Sequence, residues 1–228
     1  MGAGAFAALE QLQLGVKNRE DGDAVFATLV GGLVDAPCAR TLRSLVIHDL
    51  NLTGSGPGLD VLGAAIRGGR LPAFVKLCFP KAPLEDEPMA RFLSSFTPQT
   101  PFPLEALELY DTRIGDKTAA ALAKALSTGC LGSGLREVYS DDHRTVRALV
   151  MVAKGTGEPY VRCLEVWDLG GLVLPFRVVV RLVRVVVKAF PALKRLEFNE
   201  RSAPSDKRAP LREYAARIGK PGVLRFVK

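Results

Sequence analysis

A chain of 228 residues, 48% apolar and 24% charged, has material for a large buried core, and it holds no run of roughly 18 uncharged apolar residues, so no membrane span is expected. Four cysteines (Cys38, Cys78, Cys130, Cys163) stand far apart with no C-x-x-C pair, which argues against a disulfide framework or zinc site and for reduced thiols in an intracellular protein. The net charge of +7 is unevenly placed: from Arg201 onward eight basic residues stand against two acids, leaving the remainder nearly neutral.

The first residues, MGAGAFAALEQLQLG, lack a basic region before their apolar ones, and Phe6 stands where myristoylation needs Ser or Thr. Neither a secretory nor a transit segment is expected, so the cytoplasm is the simplest compartment, with an organellar assembly the other one compatible with the chain.

An apolar triplet at one-four-six spacing then recurs along the chain, the pattern of a short strand that buries alternate residues. The triplets begin at Leu9, Leu42, Phe74, Leu104, Leu135, Val161, Leu193 and Val223. Their fourth positions are Leu12, Leu45, Leu77, Leu107, Val138, Leu164, Leu196 and Phe226. The offsets between successive triplets are 33, 32, 30, 31, 26, 32 and 30 residues. Between them lie segments of helical period, near 23–34, 59–67, 86–96, 116–127, 145–154, 176–190 and 211–218. Asp116 suits an N-cap, and Pro175 and Pro210 suit first turns. The stretch FRVVVRLVRVVVKAF could be a strand by valine's β-preference. Its place in the repeat assigns it to helix, which puts Arg177, Arg181, Arg184 and Lys188 on one face. Loops such as TGSGPG, TPQTPFP and SAPSDKRAP are too short for domain linkers. The expectation is one domain over 1–228 with about eight strand-helix repeats.

The best-formed copy, LEALELYDTRIGDKTAAALAKAL at 104–126, resembles the leucine-rich repeats of the ribonuclease-inhibitor type, as does LRSLVIHDLNLTGSGPGLDVLGAAI at 42–66 more loosely. That group includes the repeat domains of intracellular immune sensors and of the GTPase-activating protein for Ran. The chain departs from it by lacking the asparagine three places after the third leucine, and by a period longer than about 20–29 residues. The resemblance implies a right-handed α/β solenoid arc, with a parallel sheet on the concave face and helices on the convex one.

In that arrangement the residues between and just after the core positions line the concavity. Glu108, Glu165 and Glu197 fall in the mid-strand row with Tyr139; Tyr110 and Trp167 follow the third core residue; Asp111, Asp142 and Asp168 come next. The result is an acidic ribbon carrying three large aromatics, suited to a basic protein partner whose approach the carboxylates steer. A second surface is basic: Arg177, Arg181, Arg184 and Lys188 on the helix, with Lys207 and Arg208 in the C-terminal segment, suited to RNA or an acidic partner.

No enzyme is expected. His48 and His143 lie beside aspartates but near no recognisable nucleophile, and AKGTGEP at 153–159 lacks the residues of a phosphate loop. No residue pattern for a cofactor or metal stands out, and the functional residues of the Ran-activating proteins have no counterpart that can be matched. The sequence therefore reads as a non-catalytic protein-protein interaction scaffold, a subunit of a larger assembly. The alternative is a ribonucleoprotein subunit that touches RNA through its basic C-terminal segment.

Overall fold

The computed structural model describes residues 8–15, 21–52, 56–112, 114–131, 134–146, 150 and 164–227. Eight strands form one open sheet: β1 (Gln11–Gly15), β2 (Ser44–His48), β3 (Lys76–Cys78), β4 (Ala106–Leu109), β5 (Glu137–Ser140), β6 (Val166–Leu169), β7 (Arg195–Asn199) and β8 (Leu224–Val227). Each strand pairs in parallel with the next in sequence. Parallel neighbours need a crossover, which helices supply. Those described are α1 (Gly22–Asp35), α2 (Pro57–Arg67), α3 (Asp86–Ser94), α4 (Asp116–Ser127), α5 (Phe176–Ala189) and α6 (Ser205–Arg217). The predicted helix at 145–154 lies largely outside the described residues, within which 143–146 are helical. Among the described residues, no helix is long and apolar enough to cross a membrane.

The backbone seam between coils is regular. The carbonyls of Glu10, Arg43, Val75, Glu105, Arg136 and Glu165 each accept two consecutive N–H groups from the following repeat. Arg43 and Ser44 donate to Glu10 at 2.7 and 3.0 Å; Glu165 and Val166 donate to Arg136 at 2.7 and 2.9 Å. This seam sets the register. Leu12, Leu45, Leu77, Leu107, Val138, Trp167, Leu196 and Leu224 are successive cross-strand partners. They are separated by 33, 32, 30, 31, 29, 29 and 28 residues.

Two repeats thus differ from the sequence reading. In the sixth, the core triplet is Leu164, Trp167 and Leu169, three places later than expected; Val161 lies outside the described residues. In the eighth, Leu224 takes the fourth position and Phe226 the sixth, two places from the expected register.

The apolar face of the sheet packs on the helices. Phe74, Phe92, Phe96 and Phe102 form one aromatic cluster, with Phe74 and Phe102 stacked at 6.1 Å. Gly58 lets α2 close on α1, since a Cβ there would lie 2.3 Å from the Phe26 ring. In α5, Val179, Leu182, Val183, Val186 and Val187 are buried. Burial of that stripe outweighs valine's modest helix propensity.

The basic C-terminal segment is no free tail. The helix α6 begins at Ser205, six residues before the expected start, and carries Pro210 within it. It feeds β8, whose Phe226 lies under the guanidinium groups of Arg208 and Arg212, each 5.4 Å from the ring. Arg208 also donates to the carbonyls of Ala203 and Glu200.

Candidate functional site

The opposite face of the sheet carries the polar positions. Its central row runs through neighbouring strands as Gln13, Val46, Cys78, Glu108, Tyr139, Asp168, Glu197 and Arg225. Gln13 at the first strand is exposed, but the next two members, Val46 and Cys78, are buried. Burial, then the neighbouring Glu108, pushes the Cys78 thiol up to about 12, so it is a packed thiol and not a reactive one. From Glu108 to Glu197 the row is half-buried and largely acidic, and it ends on the exposed, basic Arg225.

Tyr139 stands in the middle of that acidic stretch. Its hydroxyl donates to Glu137 at 3.1 Å, and burial followed by the Glu137 charge raises its pKa to about 12. Asp168 and Glu197 are direct cross-strand neighbours. Burial, then the Asp168 carboxylate, raises the pKa of Glu197, while Arg195 at 3.5 Å and Arg225 at 3.9 Å oppose the shift.

Tyr110 lies just past the end of β4 and is 39% exposed. Its ring lies over Gly171 and close to Asp141: a Cβ on Gly171 would sit 2.5 Å from the Tyr110 ring and 2.9 Å from the Asp141 side chain. Asp141 in turn accepts the Asp111 N–H at 2.9 Å. Burial, followed by the charges of Asp111 and Asp142, raises the Asp141 pKa.

The expected ribbon therefore assembles in part. Glu108, Tyr110, Tyr139, Asp168 and Glu197 share one face, joined by Glu137 and Asp141. Asp168 falls beside Tyr139 only through the shifted register of the sixth repeat, whereas Glu137 and Asp141 belong to the fifth, which pairs as its apolar triplet implies. Trp167 is not part of the surface. It is 0% exposed, turned into the core against Phe190 at 6.4 Å, and no partner could reach it. Glu165 also leaves the site: it sits at the strand entrance, paired with Lys194 at 2.8 Å and Arg136 at 3.3 Å. The bond from Lys194 holds its pKa below the usual value. Asp142 spends its carboxylate on the backbone of Arg144 and Thr145, capping the turn that follows β5. Asp111 stays exposed, with its backbone in the left-handed region (φ 53°).

Asn199, one place after the third core residue of its repeat, donates from Nδ2 to the carbonyl of Gly170 in the preceding repeat at 2.9 Å. A groove of about 330 Å³ runs along the entrances of β1 to β5, lined by Glu10, Arg43, Lys76, Glu105, Arg136 and Glu137. His48 contacts Gln13 at 2.7 Å. The phosphate-loop-like segment 153–159 and Cys163 lie outside the described residues.

An all-parallel eight-stranded sheet alternating with helices fits a leucine-rich-repeat-like α/β solenoid. No family model matches the chain, and no curated protein matches it. Among solved structures, a crystal structure of a Bacteroides fragilis protein is similar at 12% identity and TM-score 0.38, over 82% of this chain and 67% of that one. A likeness that slight defines neither family nor function.

Proposed function

We propose that the chain is a non-catalytic interaction scaffold, a right-handed repeat arc whose strands line the concave wall and whose polar face holds a basic protein partner. The observation that supports this reading most directly is Tyr110, an exposed aromatic laid against Asp141 beside the row Glu108, Tyr139, Asp168 and Glu197. An aromatic ring with acidic neighbours gives a partner a desolvated anchor and an orienting field. Half-burial of the carboxylates strengthens that field relative to a fully hydrated surface. A single array of this kind binds along its wall and suits a subunit of a larger assembly.

The test is affinity capture on the immobilised chain, with bound proteins identified by mass spectrometry and their affinities then measured. Tyr110→Ala should weaken the captured partner by about 2 kcal/mol, some 30-fold, without changing thermal stability. Glu108→Gln with Asp168→Asn should lower the association rate and flatten its salt dependence. A partner indifferent to both variants would remove the polar face from the interaction.

A further inference from the structure

On the helix side of the molecule, the first repeats neutralise their charges in a regular way. Asp35 pairs with Arg70, Asp60 with Arg91 at 2.9 Å, Glu87 with Lys117, and Asp116 with Arg144 at 3.4 Å. In each pair an acid of one repeat meets a base of the next. The helices α1 to α4 together carry a net charge of −2.

Among the described residues this ladder stops after the fifth strand. The helix α5 has four cations and no acid, and α6 adds four cations against two acids, so the two carry +6. Arg177, Arg181, Arg184 and Lys188 are all exposed, opposite the buried valine stripe, and none has an ion-pair partner among the described residues. α6 lies beside α5. It adds exposed Lys207, Arg212 and Arg217, of which Lys207 has Asp206 at 3.4 Å. Like charges on adjacent turns destabilise a helix, so an uncompensated stripe is held at a cost that packing of the valines offsets.

We propose that the exposed face of α5, extended by α6, binds the sugar-phosphate backbone of nucleic acid. The stripe from Arg177 to Lys188 is about 16 Å long at the rise of an α-helix. That length runs beside about five phosphates of one strand in a duplex. Three of the four cations are arginines, whose planar guanidinium groups suit phosphate oxygens. No base-reading element accompanies them among the described residues, so recognition is of the backbone and not of sequence. This surface is separate from the acidic face and does not depend on the reading given to it.

The test is fluorescence anisotropy of the full chain with labelled 20-nucleotide single-stranded RNA, duplex RNA and duplex DNA across a salt series. The quadruple variant Arg177→Gln, Arg181→Gln, Arg184→Gln, Lys188→Gln should lose at least about tenfold in affinity at low salt. Its log K against log[salt] slope should fall by about three, given about 0.7–0.9 per phosphate contact. A charge-matched control, Arg40→Gln, Arg43→Gln, Lys81→Gln, Lys124→Gln, should retain most of the binding. Replacing the three arginines by lysine should retain it as well, and circular dichroism establishes that each variant is folded. Equal loss in both quadruple variants, an unchanged slope, or equally tight binding to polyglutamate would overturn the proposal, the last by assigning the face to an acidic protein.

Discussion

The carboxylate of Asp86 occupies the space beside Gly115 that any larger residue would need. Asp86 Oδ1 accepts the Gly115 N–H at 2.7 Å, and a Cβ on Gly115 would lie 2.4 Å from Oδ2. The same carboxylate accepts from the backbone of Thr118 at 2.8 Å and of Lys117 at 3.0 Å. One acid in the first turn of α3 thus caps α4 of the next repeat, satisfying N–H groups that a helix start leaves open.

Removing either member of this contact should loosen the stack at its middle. Gly115→Ala is expected to cost about 1–3 kcal/mol by overpacking against Asp86. Asp86→Ala should cost about 1–3 kcal/mol by leaving three N–H groups without their acceptor. Urea denaturation of both single variants and the double variant checks this; once Asp86 is gone, Gly115→Ala should cost far less than it does alone.

The pH dependence of stability separates Asp86 from Asp141. Burial alone would raise the Asp86 pKa, but the bonds from Thr118, Lys117 and Gly115 outweigh it and hold the group below its ordinary 3.8. A depressed folded pKa stabilises above the unfolded value, and that stabilisation is lost as pH falls through the folded one. Asp141 is raised, so its contribution is present below the unfolded pKa and is lost as pH rises through the folded value. Asp86→Asn should therefore destabilise at neutral pH and converge on wild type in acid. Asp141→Asn, which keeps an acceptor for the Asp111 N–H, should be neutral or stabilising at neutral pH. Denaturant midpoints between about pH 3 and pH 7 read both, and the opposite ordering at neutral pH would refute the assignment.

Trp167, the chain's one tryptophan, reports on the core. Its emission should be blue-shifted and shielded from iodide until the chain unfolds. Trp167→Ala is expected to cost about 3–5 kcal/mol. Trp167→Phe should cost less, because the indole Nε1 is buried with no hydrogen-bond partner among the described residues and its removal relieves that penalty.

Lys81 is held at φ 57°, the same repeat position at which Asp49 and Asp111 adopt φ 54° and 53°. This conformation lets the Lys81 N–H reach the carbonyl of Tyr110 in the next repeat at 2.8 Å. Aspartate tolerates the left-handed region better than lysine does, and glycine better still. Lys81→Gly should leave stability unchanged or raise it by up to about 1 kcal/mol, read as a shift in melting temperature.

Some of this protein is settled by its sequence alone. Leucines at one-four-six spacing followed by a run of helical period suit a strand with a helix behind it, and such a unit needs neighbours. The first five repeats, from Leu12 to Val138, pair at the spacing their leucines imply. The bounds of α4 and the cationic face of α5 also follow from periodicity. What the sequence leaves open is register wherever two apolar triplets overlap. Val161, Leu164 and Val166 satisfy the same pattern as Leu164, Trp167 and Leu169, and only the paired bonds from Glu165 and Val166 to Arg136 select between them. A strand alternates faces residue by residue, so a slip of three places turns the side chains from Val166 onward over, while Leu164 serves the core in either register. That slip moves Trp167 from surface to core and Asp168 from the strand's far end to the centre of the polar face. In the eighth repeat the slip is two places, and Phe226 keeps its face against Phe198 at 5.9 Å. Parity is a property of the pairing between strands, and no single strand carries it.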